Sequence, residues 1–184
     1  MERELEKRLR ELIDRQDIHD VLLRYCRACD RIDEELLRTV FHEDAYIDYG
    51  VFSGTAREFL AWIIDNIRDN YTHGSHNICN EYVAIDGDVA YVELNIIIHN
   101  GVPDDKGQII YTLLGGRYLD RFERRQGEWR IANRKFLFDW SEGKPAEAQL
   151  DSGMNDNLGI GKRSREDASY KHLPPRIKSV LDWS

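Results

Sequence analysis

A chain of 184 residues, 41% hydrophobic and 33% charged, has the size of one ordinary domain with a true core. Its net charge of −8 and pI near 5.3 argue against nucleic acid or an anionic membrane as partner. No apolar run approaches the roughly 18 residues of a membrane span, no secretory leader follows Met1, and three cysteines give no disulfide framework, so a cytoplasmic protein is expected.

In chain order, residues 2–15 are charge-rich, with Leu5, Leu9, Leu12 and Ile13 at helical spacing, which predicts a surface helix. The apolar register then resets near Asp17. Val21, Leu22, Tyr25, Cys26 and Cys29 form a second stripe that ends at Asp30. Asp33 is placed to N-cap a short helix over 34–40, burying Leu36, Leu37 and Val40. His42-Glu43-Asp44 reads as a turn, and the alternating Ala45-Tyr46-Ile47-Asp48-Tyr49 as a strand ending at Gly50. A helix over about 56–70 follows, with Phe59, Leu60, Trp62, Ile63, Ile64 and Ile67 on its apolar face. Strands are predicted over 76–85, 89–100, 108–123 and 129–139, joined by Asp86-Gly87-Asp88, a long loop at 101–107 and Gln126-Gly127. From Ser141 onward the chain is polar with weak periodicity.

Helices followed by a run of antiparallel strands is the α+β pattern. A sheet of this length must curl and cover its concave face, and N-terminal helices laid on it leave a cone-shaped cavity. The expected division is a domain over 1–140 and a C-terminal extension over 141–184 that packs on the domain or on a neighbouring subunit. The open sheet leaves a face to be covered, so a homo-oligomer is expected.

The residues that carry chemistry are Asp30, which closes the second apolar stripe, and His76, which opens a strand. A carboxylate held against an imidazole makes a general base that works near neutral pH. If the fold joins them in a pocket, the chain is a cofactor-free enzyme; if not, it is a binding or assembly domain. Cys26-x-x-Cys29 lies inside a helical pattern without a second pair and reads as packing, not as a metal or redox site. His73 lies in a loop near His76, but the two have no third ligand at metal spacing. His19, His42 and His172 read as surface residues. Gly115-Gly116 sits mid-strand and points to close backbone approach or curvature. There is no phosphate-cradling loop and no Gly-x-Ser-x-Gly elbow, and Lys162-Arg163-Ser164-Arg165, followed by acids, reads as a solvated face.

The order of elements resembles the SnoaL-like branch of the nuclear-transport-factor-2-like (NTF2-like) superfamily over roughly residues 10–140. Leu23-Arg24-Tyr25 through Cys29-Asp30-Arg31-Ile32-Asp33 resembles that family's first long helix. Phe41-His42-Glu43-Asp44-Ala45 resembles its turn into the first strand, and Gly127-Glu128-Trp129-Arg130-Ile131 its last hairpin. The resemblance implies an NTF2-like cone, with a curved antiparallel sheet and helices enclosing a cavity. Within the superfamily the chain is similar to scytalone dehydratase, hexachlorocyclohexane dehydrochlorinase and bile-acid 7α-dehydratase, which use an Asp–His pair at the places of Asp30 and His76.

By that resemblance His76 takes a proton from carbon, Asp30 orients it, Tyr25 assists, and Arg134 binds a leaving or acidic group. Tyr49, His99 and Tyr118 are then the substrate-binding residues. Gly116 and Tyr118 stand where scytalone dehydratase carries a Ser and an Asn, which argues against scytalone itself as substrate. Alternation puts Arg134 opposite in parity to Asn133, and Ile131 shares that parity with Asn133. The inward face is therefore open unless a bulge intervenes. The expectation is a lyase without cofactor or metal, eliminating water or HX from a small apolar carbonyl-bearing or cyclic molecule in the cavity. The resemblance implies a homotrimer, or else a dimer. The alternatives are an isomerase or cyclase using the same base, and a non-catalytic module like the small subunit of ring-hydroxylating dioxygenases.

Overall fold

The computed structural model describes residues 1–143, 159–160 and 168–172. The first helix, α1, runs unbroken over Glu2–Arg31, where the sequence suggested two segments. Nothing between them breaks a helix, and one i,i+4 bond lies just before the junction, Arg15 to Glu11 (2.9 Å), and another crosses it, Gln16 to Asp20 (2.8 Å). The register change instead marks where α1 meets the body of the protein. Residues 2–13 are exposed and Asp14 and Arg15 half-buried, whereas Ile18, Val21, Leu22, Tyr25, Cys26, Ala28 and Cys29 are buried. Ile32, in the left-handed region at φ 54°, closes the helix by donating its N–H to Cys29.

Asp33 then caps α2, Glu34–Arg38, by accepting the Leu36 N–H at 2.9 Å. Strand β1 spans Phe41–Asp48. It includes His42-Glu43-Asp44, which is therefore irregular strand and not a turn: the pairing shifts register between Phe41 and Tyr46. His42 is buried, with Nε2 at 2.9 Å from the Glu123 carbonyl, so it is no surface residue. Short β2, Ser53–Thr55, leads into α3, Ala56–Asn70, whose first turn is held by a reciprocal Thr55–Glu58 capping box.

The long strands β3 (His73–Asp86), β4 (Val89–Pro103), β5 (Ile109–Arg125) and β6 (Glu128–Glu142) form successive hairpins. The sheet order is β2-β1-β6-β5-β4-β3. It is curved, unclosed and mostly antiparallel, but β1 joins β6 in parallel. Two register shifts bend β5 against β6. At one, the Trp140 ring and the Leu137 carbonyl lie where Cβ atoms of Gly115 and Gly116 would stand, at 2.1 and 2.4 Å. At the other, Ala132 is the extra residue, so Ile131 and Arg134 both point inward, which resolves the parity conflict. Helices α1 and α3 cover the concave face.

Beyond Glu142, β7 (Gly159–Ile160) adds in parallel to Leu137 and Phe138 of β6. The single turn α4 (Ser169–His172) sets His172 Nε2 at 2.9 Å from the Asp120 carbonyl and its ring 5.9 Å from Tyr91, so His172 is half-buried. The rest of 141–184, with Lys162 to Arg165, lies outside the described residues, as does the His73 side chain. His19 is also half-buried, bonded to Glu81 at 2.6 Å. Among the described residues no helix is long and apolar enough to cross a membrane.

Candidate active site

Helical spacing sets Tyr25 and Cys29 on one inward face of α1, and Asp30 follows at its last turn. A carboxylate there meets the unfavourable end of the helix dipole, so it needs donors. His76 supplies them. Its backbone N–H lies 3.0 and 3.1 Å from the two Asp30 oxygens, and its Nδ1 lies 2.6 Å from Oδ1. A carboxylate can only accept, so the contact suits the tautomer with the proton on Nδ1, which in a neutral ring leaves the Nε2 lone pair facing away from Asp30. The two side chains, 46 residues apart in sequence, are 14% and 11% exposed.

His76, with Asp30 behind it, borders a cavity of about 110 Å³, somewhat smaller than the roughly 150 Å³ that admits benzene in another protein. The cavity is half open and not enclosed, so a single six-membered ring can sit in it with one edge at the mouth. Tyr25, Tyr49, Tyr118, Phe136, Trp62 and Tyr71 give aromatic walls; Val51, Ile63, Ile67, Ile98 and Leu114 give aliphatic ones. Cys29, Asn66, Gly74 and Asn100 line it with His76, and among the described residues no lysine, arginine or carboxylate belongs to the lining. Such a surface favours an uncharged ligand.

At the inner end the Tyr25 and Tyr49 hydroxyls bond at 2.7 Å. The Tyr25 hydroxyl is also within bonding reach of Tyr118 and Cys29, so the phenols form one cluster that can turn a donor to a ligand oxygen. Burial pushes the Tyr49 phenol up to about 12, against the pull of the Arg134 charge and the Tyr25 bond. Burial likewise raises Tyr25 and Tyr118 well above the ordinary phenol range. These groups are hydrogen-bond donors at neutral pH, not bases. Burial also carries the Cys26 and Cys29 thiols to about 12, which keeps both protonated and unreactive.

Arg134 is fully buried one layer behind the wall. Its guanidinium lies 4.2 Å from the Tyr25 ring centre and 4.1 Å from that of Tyr118. Asp120, also fully buried, accepts two bonds from it at 2.7 Å each. Burial opposes this cation, yet the Asp120 charge holds it well above the ordinary arginine value. Arg134 Nη1 has no hydrogen-bond partner among the described residues.

The fold thus brings Asp30, His76, Tyr25, Tyr49 and Tyr118 together and sets Arg134 behind the tyrosines. It does not bring His99 to the cavity. On β4, Ile98 and Asn100 face inward, so His99 faces outward, 5.4 Å from the Tyr111 ring. Sequence reasoning missed Asn66, Asn100, Trp62, Tyr71 and Asp120. The signal for Asn100 was available: it shares the parity of Leu94 and Ile96, which are buried. The run Ile96-Ile97-Ile98 hid the alternation. Among the described residues no three His, Cys, Asp or Glu side chains converge on a metal position.

Comparison with known proteins agrees with this architecture. The SnoaL-like domain family matches residues 10–135. An uncharacterised protein of Mycobacterium tuberculosis is 32% identical over 130 residues, covering 67% of this chain and 84% of the relative. Among solved structures, a Novosphingobium aromaticivorans protein provisionally named a scytalone dehydratase superposes with TM-score 0.69 at 18% identity, over 84% of this chain and 97% of that one. Hexachlorocyclohexane dehydrochlorinase LinA-type3 of Novosphingobium barchaimii gives TM-score 0.66 at 17% identity, over 73% and 92%.

Proposed function

The chain belongs to the SnoaL-like domain family, and we propose that it is a cofactor-free lyase acting on a small, uncharged, ring-sized carbonyl compound. The observation that carries the reading is the 2.6 Å contact between Asp30 and His76 Nδ1 beside an apolar cavity without charged lining. His76 Nε2 takes a proton from the carbon next to the carbonyl. Asp30 fixes the tautomer and stabilises the imidazolium as it forms. A phenol proton of the Tyr25–Tyr49–Tyr118 cluster bonds the carbonyl oxygen as it gains negative charge. Arg134, stacked behind Tyr25, adds positive potential there. The electrons then expel a hydroxyl from the next carbon, the imidazolium returns its proton to it, and the products are an enone and water. Elimination is preferred to isomerisation because two fold neighbours carry dehydratase and dehydrochlorinase names. A homo-oligomeric, cytoplasmic protein goes with this reading. Exposed Tyr82, Tyr111 and Trp140 on the outer sheet face support an assembled state.

The test is enone formation from 3-hydroxycyclohexanone and ring-substituted relatives, followed by ultraviolet absorbance. Turnover by the wild type, lowered by about 10²- to 10⁴-fold in His76→Ala, is the expected result. Equal turnover by His76→Ala removes the base from the account, and no turnover of any member of the series removes the lyase reading.

A further inference from the structure

The strand register orders the polar groups along the cavity. Tyr118 pairs with Leu94 at the inner end, and Leu114 pairs with Ile98, which in turn pairs with His76. Asn100 pairs with Gly74 and Thr112, two residues beyond Ile98 on the other side. His76 therefore stands between the tyrosine hydroxyls and Asn100, all facing one lumen. Asn100 and His76 are diagonal neighbours on one sheet face, with backbones about 7–8 Å apart.

The Asn100 amide differs from the other polar groups of the wall. Tyr25 and Tyr49 bond each other, and Asn66 accepts a bond from Asn70 at 3.0 Å. The Asn100 side chain makes no hydrogen bond with a described residue. Its Oδ1 lies over Gly74, at 3.2 Å from where a Cβ would stand there, and Asp30 Oδ1 lies 4.0 Å from the same point. Any larger residue at 74 would crowd the amide and narrow the space beside the Asp30–His76 pair. An amide with open hydrogen-bonding capacity on a mostly apolar wall is a recognition group.

We propose that Asn100, in the notch left by Gly74, is the specificity-determining residue of this site, bonding a second oxygen substituent on the substrate ring. This rests on the small-ring carbonyl reading above and narrows it. The carbonyl lies at the tyrosine pair, the carbon to be deprotonated lies at His76, and a hydroxyl or second carbonyl across the ring lies at Asn100. Asn100 is half-buried, so its amide loses water only when a ligand fills the lumen; left unpaired then, it penalises a ligand that lacks the second oxygen.

The test is binding, measured by titration calorimetry with cyclohexanone and 4-hydroxycyclohexanone as probes, so that no turnover is needed. The wild type binds the hydroxylated ring about three- to tenfold more tightly, the worth of one neutral hydrogen bond. Asn100→Leu, similar in size but apolar, brings the ratio of the two affinities to about one or reverses it. Gly74→Ala, which pushes on the amide without removing it, lowers the ratio in a second and independent way. Thermal melting establishes that both variants are folded. Equal binding of the two probes by the wild type, or an unchanged ratio in Asn100→Leu, overturns the assignment of Asn100 and leaves the base chemistry standing. Failure of both probes to bind overturns the small-ring reading together with it.

Discussion

Removing the Asp120 carboxylate should be among the most damaging single changes in this protein. Asp120 and Arg134 are both fully buried and joined by two bonds of 2.7 Å. With no solvent at either group, Asp120→Ala leaves an uncompensated guanidinium between two phenol rings. Breaking a buried pair from one side costs about 3–5 kcal/mol. Asp120→Asn keeps an acceptor but loses the charge, so its cost is that of a charge-assisted bond, about 1.5–3 kcal/mol. The double variant Asp120→Leu with Arg134→Met removes both desolvation penalties. It should recover most of the stability or exceed the wild type. The assay is urea unfolding of the two single variants and the double variant, a double-mutant cycle, at low and at high salt. Because the pair is out of water, its coupling should not change with salt. A cost below about 1 kcal/mol for Asp120→Ala, or additive single and double changes, would refute the argument that this pair is held only by mutual compensation.

Other tests bear on the sheet, the acid limit and the thiols. Gly116→Ala places a Cβ 2.4 Å from the Leu137 carbonyl, which is backbone and cannot step aside. It should cost about 1–3 kcal/mol or more. Gly115→Ala meets the Trp140 ring instead, which is 41% exposed and can swing out, so it should cost less; the urea midpoints decide the order. The Asp48 carboxyl sits below its ordinary range: burial pushes it up, but the Gly50 N–H at 3.0 Å and Lys135 at 3.1 Å outweigh burial. A carboxyl depressed in the folded state stabilises above its unfolded value, near 4, and that contribution is lost as pH falls through the folded value. The urea midpoint should hold from pH 7 to about 5 and drop below about 4, with a shallower drop in Asp48→Asn. Native alkylation with iodoacetamide should modify exposed Cys79 and spare buried Cys26 and Cys29. Labelling of Cys29 at neutral pH would contradict its protonated, enclosed state.

The fold class and the Asp30–His76 pair were legible because each rests on a local signal. Asp30 ends a stripe of three- and four-residue spacing, and His76 lies near the start of the long strand β3, which the structure begins at His73 and not at His76. What was not legible depended on register between strands. Mirroring β5 and β6 about the Gln126-Gly127 turn sets Arg134 opposite Leu119. The extra residue at Ala132 moves the pairing by one, to Asp120, and no sequence feature marks that bulge. His99 was assigned to the cavity by resemblance, against the parity that puts Asn100 there. His42 was assigned to the surface because a turn was expected where β1 carries its register shift. The division of the first 30 residues into two helices mistook the place where α1 meets the sheet for a break in the helix.

The central claim is that His76, held by Asp30, removes a proton from carbon. Deuterium wash-in measures this directly: cyclohexanone is incubated with the protein in D₂O and loss of its α-proton signal is followed by NMR. The account predicts exchange at least about 10²-fold above the buffer rate for the wild type, near the buffer rate for His76→Ala, and strongly reduced for Asp30→Asn. Exchange at the buffer rate with cyclohexanone bound, or wild-type exchange by His76→Ala, would contradict it.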